Sequence, residues 1–173
     1  MKKAYWLITL SFLGSAAILA QTKKLSPNAK IYVMTIAAGE ELYSAFGHTA
    51  IWVNDPATAT DKVYNYGTFD FKPPQFYIDF SLGKLFYRLD TETFKYFKRV
   101  YRYYQRSYTG QLLRLTPTQT QQMYEFMEYN YLPEHRYYLY DFLYDNCATR
   151  VPDMLTYVLK DSINWGDLEA ESD

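Results

Sequence analysis

The sequence predicts one α+β domain in which a small antiparallel sheet carries flanking helices. Three observations predict it. Short runs rich in β-branched and aromatic residues (KIYVMTIAA, HTAIWV, KVYNY) recur between turn signals. Two longer segments instead repeat their apolar residues at helical spacing. Aromatic residues make up 20% of the chain, with 20 Tyr against 11 Phe, and no internal repeat, low-complexity tract or linker divides it. Tyrosine suits strands and the half-wet rims of clefts.

The first 20 residues stand apart. Met1-Lys2-Lys3 is a short basic start, residues 4–20 carry no charge, and Gln21-Thr22-Lys23-Lys24 returns to polar chain. That is the layout of a secretory signal peptide cut after Ala20. Ile18 at the third position before the cut leaves a retained anchor as the alternative, although the apolar run falls short of the roughly 20 residues that span a bilayer. No Cys follows the run, so lipidation of a processed N-terminus is excluded. Residues 21–173 then form a single exported domain, large enough to bury roughly 68–70% of its unfolded surface without staples.

Residues 30–38 read as a largely buried strand, and 39–47 as a loop or one helical turn. Residues 48–53 form a second strand that Asn54-Asp55-Pro56 stops. Residues 62–66 form a third, completing a hairpin with a longish polar loop. Pro73-Pro74 marks an extended connector, and residues 84–89 and 110–115 are further strands. A helix over 92–105 lines up Phe94, Phe97, Tyr101 and Tyr104 as one apolar stripe. A helix over 116–130 opens with Thr116 as cap, Pro117 at the first position and Gln119 completing a capping box. A last helix over 145–160 starts at an Asp145 or Asn146 cap and contains Pro152, which removes a backbone bond and bends it. The acidic end, Asp167 to Asp173, is a solvated, frayed terminus.

A formal net charge of −1 argues against a general polyanion binder, so no nucleic-acid partner is expected. With 1 Cys and 2 His, no HExxH and no paired-cysteine spacing, the sequence builds no metal site, and no glycine-rich phosphate loop calls for a cofactor. The single Cys is the informative residue. Exported proteins use cysteine in pairs, and an unpaired one points to an intermolecular bridge or a reactive thiol.

An Asp145 or Asn146 cap puts Cys147 in the first turn of its helix. There, unpaired N–H groups and the positive dipole end are expected to lower its pKa and to hold an oxyanion formed on its sulfur. A thiol nucleophile also needs a base. His48 opens a strand directly after Gly47, whereas His135 lies in the connector Pro133-Glu134-His135-Arg136, and a strand positions a base better than a loop. A third group would orient the imidazole. Asn65 on the next strand is the candidate, with Asp70 and Tyr66 as competitors. Each residue also has a bland reading: Cys147 as a small buried hydrophobe, His48 as a satisfied strand-end histidine, Asn65 as an outward polar position.

The stretches ELYSAFGHTAI around His48, VYNYGTFDF around Asn65, and residues 136–150 ending in YDNCATR around Cys147 resemble the N-terminal periplasmic domain of the Bacteroides-type lipoprotein N-acyltransferase (Lnb) family. The resemblance runs over about residues 31–160. It implies a circularly permuted papain-like fold of the NlpC/P60 and lecithin:retinol acyltransferase type, in which the His strand precedes the Cys helix. It implies Cys147 as nucleophile, His48 as base, and Asn65 at the third position, where many relatives carry His. It further implies transfer of an acyl chain from a phospholipid through a thioester on Cys147 to the N-terminal amine of a lipoprotein, at the outer face of the inner membrane. Full-length members of the family are expected to continue into a membrane-spanning part beyond the end of this chain.

Three functions remain in play: that acyl transfer, a periplasmic cysteine peptidase or amidase in which water accepts the acyl group, and a non-catalytic binding module. Lys95, Arg99, Arg102 and Arg106 recur at spacings of 4, 3 and 4 behind the stripe of the 92–105 helix, with Lys98 beside them. This face is either ordinary solvated surface or a contact for anionic lipid headgroups.

Overall fold

Both faces of the central strands are covered, so neighbours such as Ala50 and Ile51, or Val63 and Tyr64, are buried side by side, and the side of the sheet each one faces decides which helix it meets. The computed structural model describes residues 22–41, 44–69, 75, 78–79, 82–141 and 143–163. The expected signal peptide, Pro73-Pro74 and the acidic tail lie outside them. Among the described residues six strands form one antiparallel sheet: β1 (Lys30–Ile36), β2 (His48–Asp55), β3 (Thr60–Phe69), β4 (Phe86–Glu92), β5 (Tyr108–Leu112) and β6 (Tyr137–Leu139). Their order across the sheet is β5-β1-β2-β3-β4-β6. The helices are α1 (Phe94–Tyr103), α2 (Pro117–Tyr131) and α3 (Cys147–Leu159). The fold is α+β, as the sequence predicts.

One face of the sheet presents Met34, Ile36, Ala50 and Val63, and Phe97 and Tyr101 of α1 cover it. Trp52 stacks between Tyr32 and Phe94, with ring centroids 4.8 and 3.8 Å away. The other face presents Ile31, Ile51, Val53, Tyr64 and Leu89 to Met123 and Met127 of α2 and to Val151, Met154 and Leu155 of α3. The sheet is thus the middle of three layers, and each layer's apolar stripe is buried against its neighbour.

The boundaries move where tertiary bonds override local signals. The polar Asn54-Asp55 pair does not stop β2. Asp55 is buried, and its carboxylate accepts from Ser26 N–H and Oγ, both at 2.7 Å, and from Thr58 Oγ1 at 2.8 Å. A polar residue satisfied in this way stays in the strand, so the hairpin loop shrinks to residues 56–59. The 92–105 helix starts later and ends sooner than its periodicity predicts. Glu92 joins β4, and Gln105 takes a left-handed φ of 52°. Tyr104 is therefore not part of the buried stripe but 60% exposed, and Arg106 leaves the basic face. Strand β6 carries no sequence signal, because three residues are too few to show a period.

At α2 the predicted capping box of Thr116 and Gln119 is present. Helix α3 runs through Pro152, which has no N–H for the carbonyl of Ala148. Ala148 is exposed in the first turn, and the helix continues to Leu159.

Candidate active site

The β2–β3 ladder stops at the Ile51↔Tyr64 pair, short of His48 at the start of β2. Strand β3 goes on to Phe69 and bulges between Asn65 and Thr68, so the two strands part. A cleft of about 390 Å³ occupies the parting, lined by His48, Thr49, Gly67 and Cys147 together with Phe46, Phe69, Tyr87, Tyr140 and Leu143. A larger cavity of about 760 Å³ lies on the α1 side of the β1–β2 connection, but its described lining holds no thiol or imidazole, whereas the smaller one gathers both.

Asn146 caps α3. Its Oδ1 accepts from the N–H of Ala148 at 2.8 Å and of Thr149 at 3.1 Å, and its own N–H donates to Thr149 Oγ1 at 3.0 Å. This reciprocal cap sets Cys147 at the first helical position and leaves the Cys147 N–H outside the cap. Backbone N–H groups of Thr49, Cys147 and Ala148 reach the sulfur. Burial still pushes the Cys147 thiol up, against the pull of those N–H groups. The expected lowering by the helix end is therefore corrected: desolvation of the anion outweighs it, and the resting group is a thiol.

His48 Nε2 lies 2.8 Å from Asn65 Oδ1. The Gly67 N–H, which can only donate, points at the same oxygen from 2.9 Å, so Asn65 presents its carbonyl and His48 Nε2 carries the proton. The lone pair of His48 is then on Nδ1. Burial drives the imidazole down to about 4; the Asn65 hydrogen bond opposes that shift and the positive Arg106 guanidinium adds to it. At neutral pH the ring is an uncharged acceptor. Among the described residues no hydrogen bond joins His48 to Cys147; both line one cleft, with a neutral thiol and a neutral base.

Two glycines seat the histidine. Gly47 has φ +77°, and a Cβ there would come within 2.8 Å of the Ile36 carbonyl oxygen. A Cβ on Gly67 would sit 2.6 Å from His48 Cε1 and 3.1 Å from Nδ1. Gly67 therefore both aims Asn65 and leaves room for the ring, a role the sequence reading missed. Its signal is a glycine inside a strand pattern, which marks close approach of another group. Tyr140 stacks on Tyr87 at 4.2 Å, and burial pushes its phenol up to about 12, with Cys147 and Asp141 adding to the shift.

Of the competing residues, His135 is exposed and stacks on Tyr129 at 4.2 Å, away from the cleft. Buried Tyr66 offers its carbonyl oxygen to the hydroxyl of Tyr138. Asp70 lies outside the described residues. Lys95, Lys98, Arg99 and Arg102 are exposed on α1. Arg106 turns inward instead, its Nε donating to the Ala37 carbonyl at 2.8 Å. Among the described residues no cluster of His, Cys, Asp and Glu is arranged to hold a metal ion, and no helix is long and apolar enough to cross a membrane.

The family model of the Lnb N-terminal periplasmic domain matches residues 19–170, and the chain belongs to that family. Neither a curated protein nor a solved structure matches it.

Proposed function

With membership of the Lnb N-terminal periplasmic domain family as the premise, we propose that this chain is a cysteine-dependent acyltransferase acting through a thioester on Cys147. The observation that carries the reading is the His48–Asn65 bond of 2.8 Å, which leaves Nδ1 unprotonated on a ring that lines the same cleft as Cys147, the only thiol in the sequence. His48 Nδ1 takes the thiol proton as Sγ attacks the ester carbonyl of a phospholipid. The Cys147 N–H, left outside the cap, donates to the oxyanion that forms. Collapse breaks the C–O bond, and His48 returns the proton to the departing glycerol oxygen. An α-amine then attacks the thioester, loses its proton to His48, and Cys147 leaves as a thiol again. Asn65 positions the imidazole and stabilises it while it is charged.

Phe46, Phe69, Leu143 and the Tyr87–Tyr140 pair make the cleft wall apolar enough for an acyl chain, which favours a lipid donor over a peptidoglycan stem. The exposed Lys95, Lys98, Arg99 and Arg102 of α1 supply a face for anionic headgroups on the bilayer that provides that donor. Arg106 is excluded from this face by its inward turn. The test is intact-mass spectrometry of the purified protein after incubation with phospholipid vesicles. An acyl-mass adduct, hydroxylamine-labile and mapped to Cys147, is the expected result. An unmodified thiol, with lysophospholipid failing to appear, would sink the proposal, and lysophospholipid with free fatty acid but no transfer to an amine would make the protein a hydrolase instead.

A further inference from the structure

The β1–β2 connection walls two cavities. Phe46 and Gly47 face the Cys147 cleft, whereas Ala38, Gly39 and Ser44 face the larger cavity of about 760 Å³, which Tyr101 and Arg106 also line. Arg106 reaches it because of the left-handed Gln105, after which the Arg106 N–H bonds back to the Tyr101 carbonyl at 2.9 Å. The side chain is then held on three sides. Nε donates to Ala37, the guanidinium lies 5.3 Å from the Tyr101 ring centroid, and a Cβ on Gly39 would come within 3.2 Å of Cδ. Arg106 Nη2 is buried and has no hydrogen-bond partner among the described residues. A desolvated, unpaired donor on a fixed cation is costly, and such a group calls for an acceptor that arrives with a ligand.

We propose that this cavity is an anion subsite beside the cleft, in which Arg106 binds the phosphodiester of the lipid whose ester carbonyl lies at Cys147; this rests on the acyl-donor reading above. Charge on the wall selects the class of anion. Glu40 and Glu41 line the same cavity and are exposed. Their two negative charges oppose a doubly charged free phosphate or phosphomonoester more than a singly charged diester. A guanidinium is suited to a phosphodiester because two of its donors match two phosphoryl oxygens. Position agrees as well, since the Arg106 charge is close enough to His48 to depress its proton affinity. A bound diester neutralises that charge, so the base strengthens when the donor arrives.

The test separates binding from chemistry by using the Cys147→Ala protein, which cannot turn over. Dihexanoylphosphatidylglycerol, kept below its micelle concentration, is titrated while the Arg106 Nε–H resonance is followed by ¹⁵N NMR, with dihexanoylglycerol and inorganic phosphate as parallel arms. The diester is expected to shift that resonance saturably and to bind at least about tenfold more tightly than either control, the worth of one charge-assisted contact. Arg106→Gln is expected to lose that tenfold, and Arg106→Lys to recover part of it. Should the Gln variant fail to fold, the Lys variant and the resonance shift still decide. Equal affinity in a folded Gln variant, or phosphate-free dihexanoylglycerol or inorganic phosphate binding as tightly as the diester, would overturn the subsite. Diester binding without thioester formation on wild-type Cys147 would leave it standing and remove the acyl-thioenzyme reading alone.

Discussion

Strand β2 carries a polar cluster at each end, about 23 Å apart along the strand. At Asp55 the accounts close: a buried carboxylate takes two bonds from Ser26 and one from Thr58, and the Thr58 and Thr60 hydroxyls bond each other at 2.9 Å. At His48 they stay open. Among the described residues no hydrogen bond is made at Nδ1 of the imidazole, the Cys147 N–H turns to its own sulfur rather than to another element, and Nη2 of Arg106 is buried without a partner. The same strand, with the same pattern of buried apolar residues between, thus ends once in a staple and once in a site with capacity left for a substrate. Satisfied polar burial gives stability and a fixed register, whereas unsatisfied polar burial near a nucleophile is where chemistry is sought.

The comparison breaks if the open end does nothing. Cys147→Ala is expected to reduce acyl transfer by at least about 10³-fold, the scale of losing a covalent nucleophile, while the thermal melt stays near that of wild type. Wild-type turnover in that variant would make the two ends equivalent. Gly67→Ala and Asn65→Ala test whether the ring has to be aimed. Each is expected to lower kcat by about 10²-fold, as displacement of a catalytic group by an ångström does, with KM little changed. Normal kcat in Gly67→Ala would show that the ring tolerates the 2.6 Å intrusion.

The closed end should respond in the opposite currency. Asp55→Ala is expected to cost about 2–4 kcal/mol in urea unfolding, since bonds to a charged group are lost and donors are stranded, yet kcat per folded molecule should hold. Acid separates the ends by window. His48 sits at about 4 folded against 6.5 ordinarily, so the unfolded chain binds the extra proton between those values and stability falls as pH drops through that range. At Asp55 burial alone would raise the carboxyl, but the Ser26 and Thr58 bonds hold it below its ordinary 3.8, so its contribution is present above that value and lost below it. His48→Gln should flatten the upper window and Asp55→Asn the lower. Activity should rise as pH leaves about 4 and stay level through neutrality, because His48 is then neutral and the Cys147 thiol titrates only above its ordinary range. An acid limb near 6.5 would contradict the buried imidazole.

The effect furthest from either end of β2 is on the α1 face. Lys95/Arg99/Arg102→Glu should weaken sedimentation with anionic vesicles by about 1 kcal/mol per residue and leave neutral vesicles and the melt unaffected. Equal binding of both proteins to anionic vesicles would make the face plain solvated surface.

Elements whose signal is local were legible in the chain. Thr116, Pro117 and Gln119 specify the start of α2 through bonds that close within four residues, and the Asp145-Asn146 pair marks the start of α3, with Asn146 serving as the cap, which places Cys147 at a helix start. The β-branched and aromatic runs mark β1 to β3 as strands, and the Phe94–Phe97–Tyr101 spacing assigns those residues to one helix face, before any partner is known. His48 at the head of a strand after Gly47, and Asn65 on the next strand, follow from the same patterns. What the chain alone could not decide depends on groups far apart in it. Asp55 stays in β2 because Ser26 satisfies it from 29 residues away, and Arg106 turns inward because Ala37, 69 residues away, accepts its proton. Gly67 matters through the ring of His48, across a gap that exists only because β2 and β3 part. The direction of the Cys147 shift was decided in the same way: the helix end is local and favours the thiolate, but desolvation sums over every element packed around the sulfur, and that sum exists only in the folded chain.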